Sequence, residues 1–145
     1  WKFAEYELKG VPLRMAIGPK DLASGTLEIA RRDTKEKKSY PMEGIEDEIQ
    51  SLLTEIQSNI YNKAQHFKEQ NTYQADNYVE FKALLENKGG FVYAHWDGTR
   101  ETENKIKEET KATIRCIPLE GNEESGKCMV TGNPSTKKVL FAKAY

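Results

Sequence analysis

The chain begins with WKFAEYELKGVPLRMAI (residues 1–17), which predicts a short helix followed by a strand. Gly10 marks the end of the helix, because glycine readily adopts the left-handed backbone that often follows a last helical residue. The strand is predicted over 11–17, with Pro12 near its start, where the missing N–H disturbs a strand least. Because the chain opens inside a helix and without methionine, we expect an upstream portion to be absent from this sequence.

Three further segments have clear periodicity. Residues 26–31 alternate apolar and polar side chains, which is typical of a half-buried strand. Apolar residues from Ile45 to Phe67 recur at steps of three and four and predict a long amphipathic helix. A second helix is predicted to begin at Asp76 or Asn77, since the spacing of Asn77 to Glu80 is that of a capping box, and to end at residues 88–90.

The last third of the chain predicts short strands and one helix. We expect strands over 91–96 and 112–119, a helix over 101–110, and a hairpin formed by 127–131 and 138–144 around a Gly-Asn-Pro-Ser turn. The predicted architecture is an α/β domain over 1–72, whose mixed sheet lacks its first strands, followed by a small α+β domain with antiparallel strands over 73–145.

Composition excludes several functional classes. The 145 residues are 37% hydrophobic and 31% charged, with a formal net charge of −1. A protein that held nucleic acid mainly through its phosphates would be basic overall, so bulk phosphate binding is not expected. No apolar run approaches the roughly 18 residues that a membrane-spanning helix needs, and no cationic-then-apolar leader opens the chain. We expect a soluble, cytosolic protein.

Residues for metal binding or nucleophilic catalysis are scarce. Cys116 and Cys128 are too few and too far apart for a four-thiolate site, and a cytosolic setting argues against a disulfide. The sequence has no nucleotide-binding glycine loop and no nucleophile with a neighbouring base. We therefore expect no catalysis and no cofactor in this chain by itself.

Glu7 and Arg14 are the candidate ligand-binding pair. A carboxylate can accept both donors of a guanine Watson–Crick edge, and an arginine can donate to O6 and N7. The residues alone leave an alternative open, in which Glu7 pairs with a lysine on its own helix and Arg14 is an ordinary surface charge.

Six basic residues crowd into the stretch that follows. They are Lys20, Arg31, Arg32, Lys35, Lys37 and Lys38. A local basic patch can contact phosphate even when the net charge is near zero, and the alternative interpretation is a solvated loop.

Several motifs carry a family resemblance. They are residues 1–14, IGPKDL (17–22), RRDT (31–34), IKEET (106–110), TIRCIP (113–118) and VLFAKAY (139–145). In these motifs the chain resembles the anticodon-binding end of prolyl-tRNA synthetases of the archaeal and eukaryote-like type, and the resemblance spans the whole chain. It implies an anticodon-binding domain followed by the C-terminal domain of that family.

The resemblance also implies roles for particular residues. Glu7, Arg14 and Lys20 would read the last two anticodon letters, which are both guanine in this family. Glu7 would accept from a guanine edge, Arg14 would donate to a second base, and Lys20 would contact base or phosphate. Arg31 and Arg32 are candidate phosphate contacts.

The second domain departs from the family pattern. Many relatives hold a structural zinc with four cysteines, at positions that read here Asp97, Thr102, Cys128 and Thr131. With one thiol left, we expect no metal and a fold stabilised by packing. Two roles stay open for Tyr145: a functional tail carboxylate, or an aromatic residue that closes the apolar face of the hairpin.

The family resemblance implies a parent enzyme, a class II proline–tRNA ligase that uses ATP and magnesium bound upstream of this chain. Its partner would be the tRNA for proline, its location the cytoplasm and its assembly a homodimer. Because the domain is expected to lack its first strands, the strand over 11–17 would present an unpaired edge or an exposed apolar face. We therefore expect self-association, or disorder before about residue 42.

Two rival hypotheses belong to other functional classes. A non-catalytic protein-interaction module would dock a protein partner on the helix over 45–67 and ignore RNA. A small metal-dependent hydrolase would need a bound metal.

Overall fold

The structure, a computed structural model, describes residues 1–119 and 124–144. The chain folds as two compact units, Trp1–His66 and Phe67–Tyr145. None of the helices within the described ranges combines the length and the apolar character that crossing a bilayer demands. The predicted domain boundary after residue 72 stays a prediction.

The first unit contains a three-stranded sheet. Its elements are α1 (Lys2–Leu8), β1 (Leu13–Ala16), α2 (Pro19–Ser24), β2 (Thr26–Arg31), β3 (Lys37–Pro41) and α3 (Ile45–Gln70), whose last residues belong to the second unit. The strand order is β1-β2-β3, and both pairings are antiparallel. The strand β3 falls in the basic stretch, where the sequence did not predict a strand.

The two faces of this sheet have different roles. Residues directly opposite in an antiparallel pair lie on the same face. Met15 lies opposite Ile29, whereas Arg14 lies opposite Ala30. Ile29 is 1% exposed and packs in a core cluster with Leu52 of α3. Arg14 and Ala30 therefore lie on the face away from that core.

The second unit contains a mixed sheet. Its further elements are β4 (Thr72–Gln74), α4 (Tyr78–Asn87), β5 (Phe91–His95), α5 (Arg100–Thr110), β6 (Ala112–Cys116), β7 (Gly126–Lys127), β8 (Pro134–Ser135) and β9 (Lys138–Lys143). The strand order is β4-β5-β9-β6, with β4 and β5 parallel and the other pairs antiparallel. The predicted fold class, helices with mixed and antiparallel sheets, is confirmed, and the parallel pairing lies in this unit.

The predicted hairpin between 127–131 and 138–144 is wrong. Instead, β9 lies between β5 and β6 and pairs with both, while β7 pairs with β8. Val139 and Phe141 of β9 are fully buried, which fits a strand at the centre of a sheet rather than one arm of a separate hairpin.

The core of the second unit is centred on two phenylalanines. The rings of Phe81 on α4 and Phe141 on β9 meet edge to face, with centroids 5.2 Å apart. The N-terminus of α4 is capped by Asn77, whose side chain accepts a hydrogen bond from the Glu80 N–H at 2.9 Å. This contact confirms the capping residue that the sequence predicted.

We expect Phe141→Ala to lower the free energy of unfolding by about 3–5 kcal/mol, because it leaves a cavity beside Phe81. Phe67→Ala is the matched control: its side chain is 67% exposed, so the expected change is within about 0.5 kcal/mol. Urea unfolding followed by circular dichroism measures both. Equal losses in the two variants would contradict this assignment of the core.

Candidate functional site

A tight turn brings α1 and β1 together. Gly10 has a φ of 86°, a left-handed backbone that glycine adopts without steric cost. The chain reverses there, and the Val11 N–H donates to the Tyr6 carbonyl at 3.1 Å. As a result, Glu7 near the end of α1 and Arg14 on β1 face the same cavity.

This cavity is small and open. It is lined by Phe3, Tyr6, Glu7, Val11, Arg14, Ala30, Arg31 and Arg32. Its volume of about 20 Å³ holds roughly one water molecule. A nucleobase is far larger, so a bound base would lie over the mouth of the cavity and contact its rim.

Glu7 supplies a carboxylate at the rim. Its Oε2 accepts a hydrogen bond from Lys35 Nζ at 2.6 Å, and its side chain is 43% exposed. The hydrogen bond and the charge of Lys35 hold the pKa of Glu7 below its ordinary value, with smaller contributions from Arg14 and Arg32. Glu7 is therefore ionised at neutral pH and acts as an acceptor.

The alternative pairing of Glu7 within its own helix is not what the structure shows. The ion pair at this helix joins Glu5 and the C-cap residue Lys9 at 2.8 Å, one helical turn apart. The partner of Glu7 is Lys35, which lies in the turn between β2 and β3.

Arg14 is oriented by an aromatic ring. The centre of its guanidinium lies 3.5 Å from the centroid of the Phe3 ring. This is a cation–π contact between the guanidinium and the face of the ring. The contact restrains the position of the Arg14 guanidinium beside the cavity.

The neighbours Arg31 and Arg32 point to different partners. Arg31 donates to Asp33 and to Glu55 of α3, and its side chain is 15% exposed. Arg32 is exposed, and its Nε donates to the Glu7 carbonyl at 2.8 Å. Phosphate contact stays a prediction for both residues, and the guanidinium of Arg31 is already committed to two carboxylates.

Two of the predicted site residues do not line this cavity or lie outside the residues that the structure describes. Lys20 is exposed on α2 and does not line the cavity. Its contact with base or phosphate stays a prediction. Tyr145 lies outside the described residues.

Sequence reasoning missed two contributors to the site. Phe3 holds Arg14, and Lys35 holds Glu7 from 28 positions away. The basic stretch had drawn attention to Lys35 as a phosphate contact, but nothing in the spacing indicated its pairing with Glu7.

Three of the four positions at which the family resemblance implies zinc ligands, Asp97, Thr102 and Thr131, form a hydrogen-bonded cluster here. Asp97 Oδ2 accepts from the hydroxyl of Thr131 at 2.8 Å and from that of Thr102 at 3.0 Å. Its Oδ1 accepts from the backbone N–H and hydroxyl of Thr99. Cys128 is buried in the same turn as Thr131 but is not part of this cluster.

The Asp97 carboxylate is ionised, and both of its oxygens accept hydrogen bonds. Burial raises the pKa of Asp97, and the hydrogen bonds from Thr131, Thr99 and Thr102 lower it by more, so the pKa lies below its ordinary value. Across residues 1–119 and 124–144, no three His, Cys, Asp or Glu side chains are grouped so as to hold a metal ion. The absence of zinc stays a prediction.

Two family models match the chain. Residues 1–52 match the model described as an anticodon binding domain, and residues 78–145 match the one described as prolyl-tRNA synthetase, C-terminal. The chain therefore consists of an anticodon-binding domain followed by a prolyl-tRNA synthetase C-terminal domain.

Curated relatives match over the whole chain. It is 64% identical to a proline–tRNA ligase of Cytophaga hutchinsonii and 59% identical to those of Amoebophilus asiaticus and Porphyromonas gingivalis, in each case over 145 residues. The chain spans about 30% of the length of these relatives. It corresponds to the anticodon-binding portion of a proline–tRNA ligase. The relatives are bacterial and do not support the archaeal and eukaryote-like qualifier.

The contact between Arg31 and Asp33 should make stability depend on pH. The hydrogen bond from Arg31, aided by one from Asn59, lowers the pKa of Asp33 from 3.8 to about 2, and the Asp33 side chain is 3% exposed. Because folding lowers this pKa, the stabilisation is present above about pH 4 and is lost as the pH falls toward about 2.

We expect Asp33→Asn to cost about 2 kcal/mol of unfolding free energy at neutral pH, and the difference from the wild type to shrink below about pH 4. Urea unfolding at a series of pH values measures this. Glu55→Gln is the control, because Glu55 is 59% exposed and an exposed pair contributes about 1 kcal/mol or less. A difference for Asp33→Asn that does not change with pH would refute the assignment.

We expect Thr102→Val to lower stability by about 1–3 kcal/mol, because it keeps the shape of the side chain but removes one of the hydroxyl donors to the partly buried Asp97 carboxylate. Thr136→Val, at an exposed position, is the matched control and should change little. Thermal unfolding compares the two. If both variants unfold at the wild-type temperature, the Asp97 cluster does not stabilise this unit.

Proposed function

We propose that this chain recognises the anticodon of a tRNA for proline, with Glu7 and Arg14 as the residues that contact bases. One observation carries the proposal: these two side chains come from different elements, are both partly exposed and line the same open cavity. The two side chains thus present an acceptor and a set of donors side by side, where one base edge can contact both.

The chemistry of the rim fits guanine. The ionised Glu7 can accept from N1–H and the N2 amino group of a guanine, and Arg14 can donate to O6 and N7 of a base. Adenine presents an acceptor where guanine presents N1–H, so the Glu7 carboxylate would repel it. Selectivity for guanine therefore follows from charge and donor pattern.

Exposure decides which of the neighbouring cationic side chains are proposed to contact the RNA. Lys20 on α2 and Arg32 beside Glu7 are exposed and are proposed to contact base or phosphate. Arg31 fits such a contact less well because its guanidinium is paired with Asp33 and Glu55. With a net charge of −1, the chain would bind RNA through few phosphates.

The proposal extends to the longer protein of which this chain corresponds to a part. That protein would ligate proline to its tRNA with ATP and magnesium, act in the cytoplasm and form a homodimer. The names of the relatives support the ligase activity. An archaeal or eukaryote-like sequence type rests on the quoted motifs alone. Self-association of this chain is part of the proposal, because β1 forms an edge of its sheet.

A protein-interaction module is the second candidate. It is favoured by apolar side chains on α3, where Ile60, Tyr61 and Phe67 are 46%, 62% and 67% exposed. It gives no account of the shared rim of Glu7 and Arg14.

Titration with a proline anticodon stem-loop tests the proposal. We expect the wild type to bind this loop at least about tenfold more tightly than a loop whose two guanines are adenines, and we expect Glu7→Gln and Arg14→Gln to reduce that ratio. Glu5→Gln is the matched control, because Glu5 lies on the same helix but pairs with Lys9.

Two salt concentrations separate base reading from charge attraction. Base reading keeps the preference for guanine at the higher salt, whereas phosphate contacts weaken equally for both loops. Equal binding of the two loops by the wild type would overturn the proposed function.

A further inference from the structure

The backbone of Lys35 has a conformation that lysine rarely adopts. Its φ is +63°, in the left-handed region that favours glycine. In the parts of the chain that the structure describes, Lys111 is the one other non-glycine residue with a positive φ, and it lies at the C-terminal cap of α5, where such a backbone is common. Lys35 lies instead in the turn between β2 and β3.

The turn makes two contacts with one residue. Lys35 Nζ lies 2.6 Å from Glu7 Oε2, and Arg32 Nε donates to the Glu7 carbonyl at 2.8 Å. The first contact restrains the side chain of Glu7, and the second restrains its backbone. The left-handed turn at Lys35 and the orientation of the Glu7 carboxylate are therefore linked.

We propose that Lys35 is a positioning residue for base selection: by holding Oε2 of Glu7, it sets the carboxylate in the plane that accepts the two donors of a guanine edge. This inference rests on the proposed function, because it assigns a positioning residue to the same Glu7 carboxylate. It differs from the earlier expectation that Lys35 belongs to a phosphate-binding patch.

Lys35 and guanine can share the carboxylate. An ionised carboxylate offers about four lone-pair directions on its two oxygens, so one bond from Lys35 leaves acceptor sites for both guanine donors. An exposed glutamate without a partner would sample several rotamers, and binding would have to select one of them. The ion pair removes part of that cost before the RNA arrives.

The two possible roles of Lys35 predict different measurements. A positioning residue acts through Glu7, so its loss reduces the ratio of affinities for the guanine and adenine loops. A phosphate contact acts on both loops equally, so its loss weakens both and lowers the salt dependence of binding by about one contact.

The test uses Lys35→Gly, which keeps the left-handed turn and removes the ammonium. We expect the ratio of affinities for the two stem-loops to fall about three- to tenfold, with an unchanged salt dependence. In a Glu7→Gln background, Lys35→Gly should change the ratio by less than about twofold, because the residue through which it acts is gone. Lys35→Arg, which retains a cation, should keep most of the wild-type ratio.

Lys111→Gly is the matched control. It makes the same substitution at the other left-handed lysine, in the second unit, and should leave both affinities unchanged. Thermal unfolding of Lys35→Gly checks that the turn still folds.

Each result has a separate meaning. Equal weakening of both loops, or an undiminished effect in the Glu7→Gln background, would overturn the positioning role of Lys35. A wild type that binds both loops equally would overturn the proposed function itself. A wild type that prefers guanine together with a Lys35→Gly variant that keeps the full ratio would overturn this inference alone.

Discussion

The alternation of side chains along β2 is the constraint on which the first unit depends. Ile29 enters the core under α3, and Ala30 lies on the opposite face, beside Arg14. The same alternation continues at the end of the strand, where Arg31 reaches a carboxylate on α3 and Arg32 reaches Glu7. A shift of one residue would exchange the two faces. The core and the candidate RNA-binding rim are therefore opposite sides of one strand.

The second unit is organised around a buried central strand. Because β9 pairs on both sides, its apolar residues are enclosed, and Phe141 meets Phe81 in the core. At the end of β5, Asp97 connects segments that are distant in sequence through hydroxyl donors from Thr102 and Thr131. Hydrogen bonds satisfy this carboxylate, so its charge does not remain unpaired in a partly buried place.

The candidate site was predictable in part. Glu7 and Arg14 were identified from their residue types and from a family resemblance, and the structure places both on one rim. Lys20 was predicted with them, but it lies on α2 outside the cavity lining. The roles of Phe3 and Lys35 were not predicted, because stacking and ion pairing between separate elements leave no mark in local spacing.

Patterns within a few residues were sufficient to predict α3, the cap of α4 and the alternation of β2, because helix and strand periods are local properties. The neighbours of β9, the partner of Glu7 and the turn that presents Lys35 depended on contacts between distant segments. Such contacts depend on which surfaces can be buried together and on how the loops close. A local period of two or 3.6 residues gives no information about either of these. The strand β3 was missed for the same reason, since its charged residues form a strand only by pairing with β2.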